Sequence, residues 1–223
     1  MKRHFKLVRF TGLACLTVLV FITAALAGPP LICHPFDIGT EKSLPWSGTS
    51  WNLSGNEGYE TSHLVQDTLD LLGPKTPVIV RMETLRRATL YANKDPLAAK
   101  ALLTRLHARA EAAENTKSKD ALAMFDFGYL VETYNQGLGK DRNPAVGVDG
   151  YASVRKALAL RDSDPEMEFA AALITLGKSE AEHQEHVRKA MAGAKSDPLL
   201  SRNLAKSFLG NEKQSVAEAL AKK

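Results

Sequence analysis

Two histidines stand close together in the run Glu182-His183-Gln184-Glu185-His186. The i, i+3 spacing places both imidazoles on one face of a helix, and imidazole is a good ligand for zinc or copper. The paired-histidine zinc helix instead uses an i, i+4 spacing with a glutamate between the histidines, and no third ligand is marked here. A solvated polar helix face is the competing interpretation, and the sequence predicts no metal-binding residue.

A second candidate is Cys33-His34, because a thiol next to an imidazole could act as a nucleophile or a ligand. Asp37 and His63 follow, and His63 and Asp67 stand at i, i+4. Adjacent residues of an extended segment point to opposite sides, which argues against a paired Cys33 and His34. We therefore expect Cys33 to be a packed or inert thiol, with its role left open.

Ser153-Val154-Arg155-Lys156 matches the Ser-x-x-Lys pattern of penicillin-binding enzymes, but the Ser-Asp-Asn and Lys-Thr-Gly partners of that pattern do not occur. The sequence also has no Gly-rich phosphate loop, dinucleotide fingerprint, His-Glu-x-x-His, Gly-x-Ser-x-Gly or Cys-x-x-Cys-His. It therefore predicts no catalytic residue, no cofactor-binding residue and no cofactor, and it favours a non-enzymatic protein.

The first 27 residues have the three parts of a secretory signal. Basic residues open the chain, an apolar run extends from Thr11 to Ala27, and the run closes with Ala25-Leu26-Ala27. We expect cleavage after Ala27 and export to the periplasm or the extracellular space. There are two alternatives. The apolar run could be retained as a membrane anchor, or the signal could be that of a lipoprotein, with Cys15 as the lipidated residue.

Cleavage changes the charge balance of the chain. The 223 residues include 29 basic and 25 acidic residues, and the signal holds four of the basic ones, so 25 of each remain. A neutral chain without a long Lys/Arg block lacks the cationic face that nucleic-acid binding requires. The same neutrality argues against a membrane role after signal cleavage. Only Cys33 remains in the exported part, so packing must provide its stability.

The exported part divides into two regions. Residues 28–60 are rich in proline and glycine and contain Trp46 and Trp51, which predicts an irregular segment that packs on the domain through its apolar residues. Residues 61–223 form a helical domain with Asp-Pro, Thr-Pro and Ser-x-x-Glu starts and glycine stops. We predict helices near 62–72, 78–93, 96–113, 120–136, 150–161, 165–176, 180–194, 198–209 and 212–222.

An internal repeat lies in the second half of the chain. Residues 154–177 and 187–210 are identical at 11 of 24 positions with an offset of 33, and a fainter copy begins at Leu85. A repeat of about 33 to 34 residues, made of two helices with a proline opening each unit, resembles the tetratricopeptide repeat. The Asp-Pro junction and small alanine positions match that family, whereas its Trp and Leu-Gly positions do not. A non-repeating helical bundle is the alternative.

The resemblance implies an all-α fold of antiparallel helix pairs stacked as a short tetratricopeptide-like array, with an irregular N-terminal segment. The family holds peptides on a concave surface, so we expect an exported protein- or peptide-binding scaffold. The alternatives are an exported enzyme with a site where the 28–60 segment meets the helices, and a structural component of an envelope or matrix. The partner and the oligomeric state stay open.

Overall fold

The chain folds into α-helices joined by short turns. A computed structural model describes residues 29–47, 53, 55–116 and 119–208, and no strand occurs within these ranges. A short 3₁₀ turn, Thr61–His63, leads into the first helix. The helices are α1 (Leu64–Leu71), α2 (Val78–Ala92), α3 (Pro96–Asn115), α4 (Ala121–Gly137), α5 (Gly150–Leu160), α6 (Pro165–Thr175), α7 (Glu180–Gly193) and α8 (Pro198–Phe208). The helix expected at 212–222 and the signal lie outside the described residues.

Aspartate side chains fix most of the helix starts. Asp95, Asp120 and Asp164 each accept hydrogen bonds from the second and third backbone N–H groups of the helix that follows. Proline is the first residue of α3, α6 and α8, where its missing N–H leaves no donor unpaired. The Asp-Pro punctuation read from the sequence therefore marks true helix starts.

Two expected caps are wrong. The helix α2 begins one residue later than Thr76-Pro77 predicts, with Pro77 as its cap residue, and the Thr76 hydroxyl donates to the Leu71 carbonyl instead (2.8 Å). Ser179 precedes α7 without a side-chain capping bond. At α2 the missing local cap is replaced from a distance, because Glu166 Oε2 accepts from the backbone N–H of Val78 (2.6 Å).

Neighbouring helices pack antiparallel, and alternate helices pack parallel. Tyr134 near the end of α4 bonds the Ala99 carbonyl near the start of α3. The helices α2 and α4 are parallel, because Arg81 near the start of α2 pairs with Asp126 near the start of α4. Thr89 near the end of α2 likewise bonds Thr133 near the end of α4. The helices α2, α4, α6 and α8 also contact one another in series. The fold is thus an all-α array of stacked antiparallel helix pairs, as the repeat implies.

Glycine and proline set the closest helix contacts. A Cβ atom on Gly128 would lie 2.5 Å from the Gly150 carbonyl oxygen, and one on Gly150 would lie 2.4 Å from the Gly128 carbonyl oxygen. A Cβ atom on Gly193 would lie 2.2 Å from Cγ of Pro165. The closest-packed pairs are therefore α4 with α5 and α6 with α7, one helix out of step with the repeat units α5–α6 and α7–α8.

The repeated residues have partly equivalent positions. Pro165 and Pro198 each open a helix, and Ala157 and Ala190 are both fully buried. Ala172 is buried, whereas its counterpart Ala205 is only partly so. The second copy ends at Leu209-Gly210, which lie outside the described residues.

Burial separates the central helices from the outer ones. The helix α4 is buried along nearly its whole length, in line with its apolar sequence. The helix α3 buries Leu102 and Leu106 but leaves Leu97 82% exposed. Leu97 lies in the first turn of α3, where Ala98 and Ala99 make the contact instead. None of the described helices combines the length and apolar character needed to cross a membrane.

Candidate functional site

A buried carboxylate on α2 holds two arginines. Glu83 Oε2 accepts from Arg86 Nε (2.8 Å) and Glu83 Oε1 accepts from Arg87 Nε (2.7 Å). The Glu83 and Arg86 side chains are fully buried. Burial removes hydration from both signs of charge, so each group depends on its partner. The arrangement is a closed ionic cluster rather than an open reactive site.

The side chains of the same cluster also bond main-chain groups of the segment that precedes α1. Glu83 Oε2 also accepts from the Phe36 N–H (2.9 Å). Arg86 Nη1 donates to the Ile32 carbonyl (2.9 Å), and Arg87 Nη1 donates to the Leu44 carbonyl (2.5 Å). The Trp46 ring lies over the Arg86 guanidinium, 4.9 Å from it. The charges on α2 therefore position residues 32–46 against the helices.

A second buried ion pair joins α2 to α4. Arg81 Nη1 lies 2.6 Å from Asp126 Oδ2, and both side chains are almost completely buried. Burial raises the pKa of Asp126 to about 6, although the Arg81 charge opposes this rise. Arg81 Nε also donates to the Thr76 carbonyl (3.0 Å). Arg81 thus fixes the turn before α2 as well as the α2–α4 contact.

Three helices meet at a Tyr–His–Glu chain that resembles an oriented catalytic base. His186 on α7 bonds Glu168 on α6 through Nδ1 and the Tyr151 hydroxyl on α5 through Nε2 (2.6 Å). Burial raises the pKa of Tyr151 to about 12, which disfavours a tyrosinate nucleophile. Burial also raises the pKa of Glu168, but hydrogen bonds from His186 and Ser163 outweigh it and the net pKa is lowered. We interpret the chain as a structural link between α5, α6 and α7.

The placement of the two histidines corrects the solvated-face interpretation. His183 and His186 are buried, whereas Glu182, Gln184 and Glu185 are exposed. His183 Nδ1 lies 2.8 Å from the Ala172 carbonyl, so this face of α7 packs on α6. Within the described ranges, no group of three or more His, Cys, Asp and Glu side chains is arranged to hold a metal ion.

The Cys33 cluster is dispersed into separate contacts. Cys33 is buried, and burial raises the pKa of its thiol, which disfavours the thiolate that a nucleophile needs. Burial and the nearby Lys206 and Arg86 charges lower the pKa of His34. Asp37 pairs with Arg202 of α8, with Oδ2 and Nε 2.6 Å apart. These contacts are typical of a packed segment.

The remaining sequence candidates also have structural partners. His63 is exposed and lies 3.7 Å from Glu60, and Asp67 accepts from the Tyr59 hydroxyl (2.8 Å). The serine and the lysine of the Ser-x-x-Lys pattern contact different parts of the fold. Ser153 faces Gly128, whereas Lys156 Nζ lies 2.6 Å from Glu114.

An open cleft of about 370 Å³ lies where the end of α3 and the start of α4 meet the end of α5. Half of its lining residues are apolar and half are charged: Met124, Ala159 and Leu160, and Glu114, Lys119 and Lys156. Leu160 lines this cleft and is 41% exposed. Such a cleft can accept an apolar side chain with an acidic neighbour.

Sequence reasoning missed the charges buried on α2 and α6. One signal was available, because Glu83, Arg86 and Arg87 stand at i, i+3 and i+4 in one helix, a spacing at which opposite charges neutralise one another. The contacts with Asp126 and with residues 32–46 come from tertiary packing and leave no local signal. Comparison with known proteins finds no matching family model, no matching curated protein and no matching solved structure.

Proposed function

We propose that this chain is an exported, non-enzymatic helical repeat protein that acts as a protein- or peptide-binding scaffold. The observation that carries the proposal is the array of antiparallel helix pairs, with α2, α4, α6 and α8 in one contiguous layer. Stacked pairs give an extended surface to which several helices contribute, which is how such arrays bind other chains. The predicted signal at residues 1–27 supplies the exported location.

The chemistry of the buried charges supports a binding role over an enzymatic one. Glu83, Arg81 and His186 each bond neighbouring groups of the fold. An enzyme site where the N-terminal segment meets the helices would use Cys33 or His34. The Cys33 thiol, however, is buried with a raised pKa, and burial together with the nearby Lys206 and Arg86 charges lowers the pKa of His34. A thiol nucleophile requires the opposite shift at Cys33, and a lowered pKa makes His34 a weaker base than an ordinary imidazole.

The cleft at the end of α5 offers a first place to look for the partner. A photo-crosslinking amino acid at Leu160 should capture one protein in the compartment to which the chain is exported, and the same group at Leu97 of α3 should not. Leu97 is a matched control because it is also a leucine and is even more exposed (82% against 41%).

The captured protein must then bind the purified chain. We expect calorimetry to give a dissociation constant at least tenfold weaker for Leu160→Asp than for the unchanged chain, because an added carboxylate repels an acidic partner and removes the apolar contact. The proposal fails if purified partner candidates bind neither chain, or if the chain turns over a substrate in an activity screen that depends on Cys33 or His34.

A further inference from the structure

Residues 31–46, here called the N-terminal segment, lie across the layer of even-numbered helices, with turns at residues 29–33 and 38–41. In addition to the bonds from α2, the Leu31 N–H donates to Gln136 Oε1 of α4 (2.9 Å). Phe36 makes an edge-on ring contact with Phe169 of α6, with ring centroids 6.0 Å apart. Asn203 of α8 completes the series. The four even-numbered helices therefore all contact one short stretch of chain.

The helices hold this stretch mainly by its main chain. Asn203 Oδ1 accepts from the Asp37 N–H (2.9 Å), and its Nδ2 donates to the Asp37 carbonyl (2.8 Å). Lys206 Nζ donates to the Pro35 carbonyl (3.0 Å). With the bonds from α2 and α4, eight main-chain groups are paired with helix side chains: the N–H groups of Leu31, Phe36 and Asp37 and the carbonyls of Ile32, Pro35, Asp37, Leu44 and Pro45.

Main-chain bonds place few demands on sequence, so the selectivity of this surface lies in the side chains it buries. Leu31, Phe36 and Leu44 are buried at spacings of five and eight residues, whereas Lys42 between them is exposed. Extended peptides are recognised in the same way in grooves of proteins, by main-chain bonds together with pockets for a few anchor side chains.

We propose that the N-terminal segment is an internal ligand that occupies the groove of the even-numbered helices and competes there with an extended peptide of another protein. The external peptide would carry three large apolar anchors at comparable spacing and an acidic residue facing Arg202, as Asp37 does. The inference rests on the proposed scaffold function and adds the surface, the class of peptide and an autoinhibitory contact to it. A short tether gives the internal ligand an effective concentration in the millimolar range. Binding of the external peptide is therefore weakened while the segment is in place.

A peptide with the sequence of residues 29–47, labelled with a fluorophore, probes the groove directly. Fluorescence anisotropy should show binding to the full mature chain with Phe36→Ala at least tenfold tighter than to the unchanged chain. The substitution loosens only the internal copy, because the probe retains its own phenylalanine. The exposed Lys42→Ala serves as the matched control and should bind the probe no better than the unchanged chain. A folded Phe36→Ala chain with unimproved binding overturns the proposal.

A second measurement covers the case in which Phe36→Ala unfolds the chain. A protease site placed between residues 47 and 55 of the full chain is cut after folding, and the sample is diluted while far-UV circular dichroism is recorded. Persistence of the helices with uptake of the labelled peptide supports an internal ligand. Loss of the helices on dilution shows instead that the segment is part of the core, and dimers formed by exchange between copies would identify a second copy as the occupant. Either result overturns the proposal.

The outcome separates this inference from the scaffold function. A partner captured at Leu160 that binds the purified chain, together with a groove that takes no peptide, leaves the scaffold function standing and removes the competition at the groove.

Discussion

The carboxylate that caps α2 from a distance should make stability depend on pH. Glu166 Oε2 accepts from the N–H groups of Val78 (2.6 Å) and Ile79 (3.2 Å). Burial raises the pKa of Glu166 to about 7, and the charges of Asp197 and Asp164 add to this rise while the two N–H bonds oppose it. Between the ordinary glutamate pKa and about 7, the folded chain binds more protons than the unfolded chain. The free energy of unfolding therefore falls as pH rises through this window.

The size of the effect follows from the shift. The rise in the pKa of Glu166 from 4.5 to about 7 corresponds to a change of about 3 kcal/mol at most in the free energy of unfolding. Because Glu166 is partly exposed, solvent screening reduces this change to about 2 kcal/mol. Glu166→Gln keeps an oxygen acceptor for Val78 and Ile79 but cannot ionise. We expect the variant to be about 2 kcal/mol more stable than the unchanged chain at pH 8 and equally stable near pH 4.5.

Urea unfolding followed by circular dichroism at pH 4.5, 6, 7 and 8 measures this difference. Subtracting the free energy of unfolding of the unchanged chain from that of the variant at each pH removes the contribution of Asp126, because its raised pKa acts in the same direction in both proteins. The exposed Glu182→Gln on α7 is the control, and its difference should not vary with pH because its carboxylate is hydrated in both states. A Glu166→Gln difference that is constant, or that grows toward acid, refutes the reasoning.

Three further outcomes test other features. In the same urea assay, Gly128→Ala should lower the free energy of unfolding by about 1–3 kcal/mol, because its Cβ would meet the Gly150 carbonyl. The control Gly139→Ala should change the free energy of unfolding by less than about 0.5 kcal/mol, because its Cβ would have only the tip of an arginine side chain 4.0 Å away. Glu83→Ala should lower the free energy of unfolding by about 3–5 kcal/mol, because it leaves two arginines without their carboxylate. A smaller decrease, measured by thermal and urea unfolding, would contradict the buried-cluster interpretation. N-terminal sequencing of the exported chain should give Gly28 first, whereas an intact Met1 in a membrane fraction would favour the anchor.

Local signals account for the part of the fold that the sequence predicts. The eight described helices fall within a few residues of their predicted bounds, because aspartate caps and Asp-Pro starts act on adjacent backbone groups. The burial of α4 follows from its apolar composition. Where a local signal misled, as at Thr76 and Ser179, the hydroxyl lies near a helix start but makes no capping bond there.

The internal contacts of the candidate site could not be predicted, because its partners are far apart in the chain. Asp126 meets Arg81 from 45 residues away, and Glu166 meets Val78 from 88 residues away. Neither pair shows a spacing or a sequence pattern that links its members. The burial of the two histidines of α7 likewise depends on how α7 turns toward α6, which a short polar run does not determine.

The buried charges of α2 give the array a fixed register. Apolar side chains alone allow a helix to slide or rotate against its neighbours at modest cost, because any similar contact replaces the lost one. Arg81 must meet Asp126 of α4, and the start of α2 must meet Glu166 of α6. A shift of one residue would leave a buried charge unpaired, which costs about 3–5 kcal/mol, more than a shifted apolar contact costs. Because α4 and α6 are both tied to α2, these three helices keep one register relative to one another.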